Sequence, residues 1–288
     1  MRLHLIDGTY ELFRSHFGAP SRTSPTGQQV AAVHGIMSST LALIDGGATH
    51  LAAAFDTVVR SFRNDLYPGY KTESGVPEEL LAQFPLAEEG LEAMGVVVWR
   101  MEEYEADDAI ATAVRLFGDA FEQVVMMSPD KDLTQCVVGS RVVSFDRRRG
   151  AFVDEAGVIE KFGVPPGSIP DYLGLVGDAS DGFPGVPGWG AKSAAAVLSR
   201  YRHIEQIPLE PERWEVEVRG AQRLAAALRA NLADALVFRF LARLRDDVPL
   251  DTTLTDLEWQ GVPRSAFLAF CERMGFESLA GRPQRWLD

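Results

Sequence analysis

The chain has 288 residues, 46% of them hydrophobic, and a formal net charge of −13 from 28 Lys+Arg against 41 Asp+Glu. That length and apolar content support one extended domain or two modest ones. The acidic balance argues against a simple nucleic-acid binder, which is usually basic, and no run approaches the ~20 apolar residues of a membrane span.

The N-terminus, Met1-Arg2-Leu3-His4-Leu5-Ile6-Asp7, goes straight into a strand-like run without signal-peptide anatomy. The two cysteines, Cys136 and Cys271, lack metal-ligand spacing, so reduced thiols in a cytoplasmic protein are expected. Residues 3–6 form the first predicted strand, which ends in Asp7-Gly8. A short amphipathic helix follows with Tyr10, Leu12 and Phe13 as its apolar residues. Val30, Val33, Ile36, Met37, Leu41 and Ile44 keep a 3.6 period and predict a helix over 30–44. Residues 50–55 predict a second strand, and it ends in Asp56.

Between 60 and 75 basic and aromatic residues interleave: Arg60, Phe62, Arg63, Tyr67, Tyr70 and Lys71 surround the helix breaker Pro68-Gly69. Such spacing suits a phosphate backbone with stacked bases, and it suits an ordinary polar surface loop equally well. Residues 77–93 predict a helix with proline near its start and acids in its first turn.

Residues 95–99 predict a strand, followed by the acidic turn Glu103-Tyr104-Glu105-Ala106-Asp107-Asp108 and a helix over 109–117. Residues 124–128 predict another strand, ending in Pro129-Asp130-Lys131-Asp132. Four strands thus finish in carboxylates, which points to a parallel α/β sheet with an acidic mouth. Clustered acids repel one another, and the arrangement becomes sensible once a divalent cation neutralises them. Taken singly, Asp107 and Asp108 also fit helix N-terminal acids and Asp130 fits an N-cap. Repetition at four strand ends favours metal binding.

Residues 141–145 and 150–153 predict a short hairpin, and helices follow over 155–162 and 170–176. The next stretch is Gly177-Asp178-Ala179-Ser180-Asp181-Gly182, then Gly185-Val186-Pro187-Gly188-Trp189-Gly190-Ala191-Lys192. Glycines between two helices let a backbone approach a phosphate. The N–H groups opening the next helix then point at it, and Lys192 adds charge. Asp178 and Asp181, three apart, form a further candidate metal pair. The remainder predicts helices over 221–232, 235–244 and 264–274. Residues 190–245 carry 10 Lys+Arg against 6 Asp+Glu, a local excess of +4. The chain has only four lysines, and Lys71, Lys131 and Lys192 fall inside these motifs while Lys161 does not.

Asp7-Gly8, Phe55-Asp56, Ser61-Phe62-Arg63, Tyr70-Lys71, Glu105-Ala106-Asp107-Asp108, Asp130-Lys131-Asp132, the Asp178/Asp181 pair and the Gly185 to Lys192 turn together resemble the motif series of the bacterial 5′-nuclease family. That family includes the N-terminal 5′→3′ exonuclease domain of DNA polymerase I, phage 5′-nucleases and flap endonucleases. The resemblance covers nearly the whole chain in order, and the chain stops where a polymerase domain would begin, as a free-standing 5′-nuclease would.

The resemblance implies a PIN-like parallel-sheet nuclease domain with a helical arch over residues 1–165. It implies a helical C-terminal region with a helix–three-turn–helix DNA-binding motif over 166–288. It implies metal-dependent hydrolysis of DNA phosphodiesters near the 5′ ends of nicks, branches and flaps by a monomeric cytoplasmic enzyme. Glu105, Asp107, Asp108, Asp130 and Asp132 would hold a first metal directly or through water, Asp178 and Asp181 a second, with Asp7 and Asp56 completing the cluster. Arg63, Tyr70 and Lys71 match the base of the arch, and Arg14 matches an arginine near the scissile phosphate. The Gly185, Val186, Gly188, Gly190 and Lys192 turn would hold duplex DNA and a potassium ion. Oxygen-only ligands favour Mg²⁺ or Mn²⁺ over Zn²⁺, and two such ions about 4 Å apart can activate water and stabilise a leaving oxygen. Two other classes compete: a DNA-binding protein that has lost catalysis, and a PIN-type ribonuclease. The complete set of acids argues against the first and the glycine-rich turn against the second.

Two positions depart from the family pattern. Thr72-Glu73-Ser74-Gly75 offers an acid and no base where a further arch arginine is common, and Gly182 stands where asparagine is usual. The first predicts weaker flap affinity with a steeper loss in salt.

Overall fold

The computed structural model describes residues 1–72 and 74–287, so Glu73, the acid that follows the Tyr70-Lys71 pair, lies outside the described residues. In chain order the first elements are β1 (Arg2–Asp7), α1 (Gly8–Gly18), α2 (Ala31–Asp45), β2 (His50–Asp56), α3 (Arg63–Leu66), α4 (Glu78–Leu81) and α5 (Phe84–Ala93). Then come β3 (Val97–Met101), α6 (Ala106–Phe117), β4 (Gln123–Met127), β5 (Val142–Asp146), β6 (Ala151–Val153), α7 (Glu155–Phe162) and α8 (Ile169–Val176). The last are α9 (Ala191–Tyr201), α10 (Ala221–Ala230), α11 (Leu232–Ala242), β7 (Val262–Pro263), α12 (Arg264–Met274), α13 (Glu277–Ala280) and β8 (Trp286–Leu287). Two compact units result: Met1–Ser61 with Glu73–Ser128 and Asp246–Asp288, and Phe62–Thr72 with Pro129–Arg245.

The first unit is built on four parallel strands in the order β3-β2-β1-β4, with Leu5 beside Ala52 and Met126, and Ala53 beside Val98. Leu3, Leu5 and Ile6 of β1 and Leu51, Ala52, Ala53, Ala54 and Phe55 of β2 are all buried. Such runs lack polar alternation because helices cover both faces of a parallel sheet. Gly8 is required here: a Cβ on it would lie 2.5 Å from the Phe55 ring, so α1 can start only this close to β2. Strands β2 and β3 lie on one side of β1 and β4 on the other. The carboxyl ends of β1 and β4 therefore form a topological switch point, where open α/β sheets bind ligands.

The tail from Asp246 onward also belongs to this unit. The Leu51 N–H donates to the Leu257 carbonyl, the Trp259 N–H to Thr49, and the Trp99 indole to the Thr252 hydroxyl. This compact unit is therefore discontinuous in sequence.

In the second unit β5 and β6 pair antiparallel, Ser144 beside Val153, as the hairpin pattern predicts. Helix α7 begins at an Asp154 cap, whose carboxylate accepts from the Gly157 N–H, and stops at Gly163 in the left-handed region. Helix α8 packs on α11 and α9.

Two expected elements differ. The helix over 77–93 is split into α4 and α5, because Pro85 lacks an N–H and is accommodated only in the first turn of a new helix. Among the described residues the helical arch is reduced to the four-residue α3 and α4, since Pro68-Gly69, Gly75 and Pro77 leave no uninterrupted helical run between them.

Candidate metal centre

Asp7 ends β1 and caps α1: one carboxylate oxygen accepts from the Tyr10 N–H at 2.8 Å and the other from the Ser128 hydroxyl at 2.8 Å. Asp56 ends β2, and its carboxylate accepts from the Ala106 N–H at 2.7 Å while its own N–H donates to the Thr9 hydroxyl. Glu105 precedes α6 and accepts from the Ser61 hydroxyl at 2.7 Å. Asp108, fully buried, accepts from the Glu105 N–H at 3.0 Å. The first unit thus gathers Asp7, Asp56, Glu105 and Asp108 at the carboxyl ends of its strands and the start of α6, with Asp107 on the first turn of α6. One Asp108 carboxylate oxygen thereby completes the cap at the start of α6.

The second unit holds the other four acids. Asp130 accepts from the Asp132 N–H at 2.8 Å, which folds the loop back on itself. Asp178 accepts from the Ser180 N–H, and the N–H and carbonyl of Asp178 pair with those of Phe183. These turns bring one carboxylate oxygen each of Asp132, Asp178 and Asp181 within 4.8 Å of one another. Asp132 is 8% exposed, and its Oδ1 has no hydrogen-bond partner among the described residues. A buried unpaired carboxylate oxygen is costly, and an all-oxygen set of this spacing fits a hard divalent cation. Burial, then Asp130 and Asp181, push the Asp132 carboxyl well above the usual carboxylate range. Lys131 points into this group, with its Nζ 2.6 Å from Asp178 Oδ2. Burial works against the ammonium, but Asp132, then Asp178 and Asp130, outweigh it and hold its proton on.

Beside this cluster in sequence, Gly177 and Gly185 (φ 83° and 70°) cross so closely that a Cβ on Gly185 would lie 2.3 Å from the Gly177 nitrogen. The Val186 N–H donates to Leu175 and the Trp189 indole to Leu224, so Val186 and Trp189 are buried anchors. Pro187, Gly188 and Gly190 stay exposed at the entrance to α9, with Lys192 exposed on its first turn. A cleft of about 490 Å³ opens there, lined by Gly190, Lys192, Ser193 and Arg219.

The segment expected to meet DNA through Arg63 and Tyr70 is placed otherwise. Arg63 is 1% exposed and donates to the Leu241 and Arg243 carbonyls at 2.8 and 3.0 Å. It satisfies carbonyls at the end of α11 that have no helical partner. Tyr70 is 2% exposed, and Tyr67 meets Phe238 edge-on. The aromatics of this segment therefore face inward. Lys71 remains partly exposed, and its N–H donates to the Asp181 carbonyl at 3.1 Å. Arg14 pairs with the buried Glu11 at 2.7 Å, which keeps it charged despite partial burial.

Sequence reasoning missed Ser128 and Thr9, which bond Asp7 and the Asp56 backbone, and quoted Ser61 in a motif without its bond to Glu105. A hydroxyl at or near a strand end that also carries an acid is the available signal. It also missed Gln135, which donates to the Asp132 and Ala242 carbonyls and accepts from the Leu244 N–H. No local pattern marks that residue.

A parallel sheet with acids at its carboxyl ends, together with a carboxylate cluster adjoining a glycine-rich turn between helices, defines a PIN-like nuclease fold with a helical second module. The chain belongs to the 5′-3′ exonuclease family: residues 2–163 match its N-terminal resolvase-like domain and residues 164–265 its C-terminal SAM fold. It is 35% identical over 285 residues to DNA polymerase I of Bacillus caldotenax, covering 96% of this chain and 32% of that protein. It is 36% identical over 290 residues to DNA polymerase I of Rhizobium leguminosarum, covering 97% of this chain and 28% of that protein. The chain thus spans about a third of the length of the curated relatives it matches. The fold is shared with the T5 5′-exonuclease bearing zinc ions (TM-score 0.69, 20% identity, 84% of this chain and 89% of that one). It is shared too with the catalytic core of Rad2 in complex with DNA substrate (TM-score 0.64, 13% identity, 95% and 87%). No helix among the described residues is long and apolar enough to cross a membrane.

Proposed function

We propose that this chain hydrolyses DNA phosphodiesters at 5′ ends and 5′ flaps, as a Mg²⁺-dependent 5′→3′ exonuclease and flap endonuclease for which Mn²⁺ substitutes. The observation that carries this reading is the buried, unpartnered Asp132 Oδ1 among three carboxylates within 4.8 Å. Asp132, Asp178 and Asp181 would hold one ion with Asp130 orienting the loop, and Asp7, Asp56, Glu105 and Asp107 are proposed as ligands for another, directly or through water. Bound Mg²⁺ supplies an activated water and charge stabilisation for the leaving oxygen.

The chain's own groups position the substrate. Lys71, fixed through its backbone to Asp181, is proposed to meet the scissile phosphate, and Arg14 is proposed to contribute once its pairing with Glu11 is shared with an anion. Lys192 and the exposed N–H groups at the start of α9 are proposed to grip a duplex phosphate, with carbonyls of the same turn as candidates for K⁺. Arg63 and Tyr70 are assigned to holding the base of this segment in place. A T5 D15 flap endonuclease complex with DNA and metal ions and the Rad2 core with DNA substrate support the reading, as does the meeting of the two family matches at residues 163 and 164, near the proposed module boundary at 165. Cytoplasmic action as a monomer is part of the same proposal.

The test is a labelled 5′-flap and a nicked duplex, incubated with Mg²⁺ or EDTA, beside an all-RNA counterpart. Short 5′ products should appear from DNA only with Mg²⁺, and Asp132→Asn should lower the rate at least about 100-fold. Absence of Mg²⁺-dependent product, or preference for the RNA, would overturn the proposal.

A further inference from the structure

We infer that Lys131 is a resident counter-cation. Its ε-ammonium stands in the carboxylate cluster, paired with Asp178, and leaves when a divalent ion enters. The inference rests on the reading of Asp132, Asp178 and Asp181 as metal ligands. Lys131 Nζ lies 2.6 Å from Asp178 Oδ2, on one of the three carboxylates grouped within 4.8 Å. A metal ion coordinated by that group would stand a few ångströms from the ammonium, and two cations at such separation in a desolvated site exclude one another.

The local structure allows the exchange. The Lys131 side chain is 30% exposed and has a path to water, whereas that of Asp178 is 2% exposed and stays in place. The backbone around Lys131 is pinned: its carbonyl accepts from the Thr134 N–H and hydroxyl, and the Asp132 N–H donates to Asp130 at 2.8 Å. Only the lysine side chain has to move. A flexible stem carrying a compact charge suits this role better than the planar fork of arginine. The single charge does not complete the site, since Asp132 Oδ1 remains without a hydrogen bond among the described residues. A divalent ion can satisfy both that oxygen and Asp178. The lysine therefore sets a threshold for metal: its charge stabilises the carboxylate cluster and weakens apparent metal affinity.

The experiment compares the full chain with Lys131→Met and Lys131→Arg. Mn²⁺ binding is measured by isothermal titration calorimetry, and thermal unfolding is measured in EDTA and in Mn²⁺. Lys131→Met should bind Mn²⁺ roughly tenfold more tightly, the equivalent of losing one competing ion pair of about 1.4 kcal/mol. It should melt lower in EDTA and show a larger Mn²⁺-induced rise in melting temperature. Lys131→Arg should restore melting in EDTA. Equal or weaker Mn²⁺ binding by Lys131→Met than by wild type would overturn the counter-cation role while leaving the metal site standing. Failure of all three proteins to bind Mn²⁺ would overturn the metal site itself.

Discussion

Gly182 lies against the Gly69 carbonyl so closely that a Cβ on Gly182 would stand 2.1 Å from that oxygen, and its φ of 81° is left-handed. Two residues after Gly69, the Lys71 N–H donates to the carbonyl of Asp181, one residue before Gly182. Backbone thus meets backbone where the Asp178/Asp181 loop passes the segment that carries Lys71. This accounts for glycine at a position where the family resemblance leads asparagine to be expected: asparagine tolerates the conformation, but its Cβ does not fit. Gly182→Ala should cost at least about 1–2 kcal/mol from the left-handed backbone alone. Gly182→Asn should lower activity by displacing Lys71 even where stability is partly kept. Denaturant unfolding with flap-cleavage rates checks both, and wild-type values for either variant would show that the approach is not tight.

Arg63 should behave as a strut. Arg63→Ala leaves the Leu241 and Arg243 carbonyls unpaired in a buried site, which should cost about 3 kcal/mol at ~1–3 kcal/mol per orphaned group. The slope of log DNA affinity against log salt should stay at the wild-type value. A contact to phosphate would instead reduce that slope by about one on removal.

Asp107 and Asp108, adjacent in sequence, should separate in experiment. Asp108→Ala removes the acceptor for the Glu105 N–H and should destabilise by about 1 kcal/mol, as losses of helix caps do. Asp107→Asn should leave stability near wild type and lower Mg²⁺-dependent cleavage. Unfolding curves and a Mg²⁺ titration of rate read the two effects apart.

His34 makes stability depend on pH. Burial, then Arg22 and Arg282, hold its pKa below the ordinary histidine value, while its ring sits against Phe276 and bonds Ser278. The folded state therefore binds its proton less readily than the unfolded chain. The contribution is fully present above the unfolded value near 6.5 and is lost as pH falls through the depressed folded value. Melting temperature should decline from pH 7 toward pH 5, and His34→Gln should flatten that decline. Parallel declines in both proteins would remove His34 as the cause.

Much of this was legible beforehand. Strand spans, the helix over 155–162 and the glycine turn follow from alternation, 3.6 periodicity and breaker residues, which act within a few residues. The acids at strand ends were legible because they follow apolar runs directly. The burial of Arg63 and Tyr70 was not legible, because a basic and aromatic segment has the same composition whether it faces solvent or packs inward.

What the amino-acid order determined alone is therefore local: which runs are strands and helices, where they stop, and that carboxylates cluster at the stops. Tertiary structure decided the partners. It placed Asp132 with Asp178 and Asp181, turned Lys131 into them, set Arg63 on the carbonyl of Leu241, 178 positions away, and returned the C-terminal tail to the parallel sheet. Backbone preference is set by near neighbours, whereas burial and charge pairing depend on groups that only the folded chain brings together.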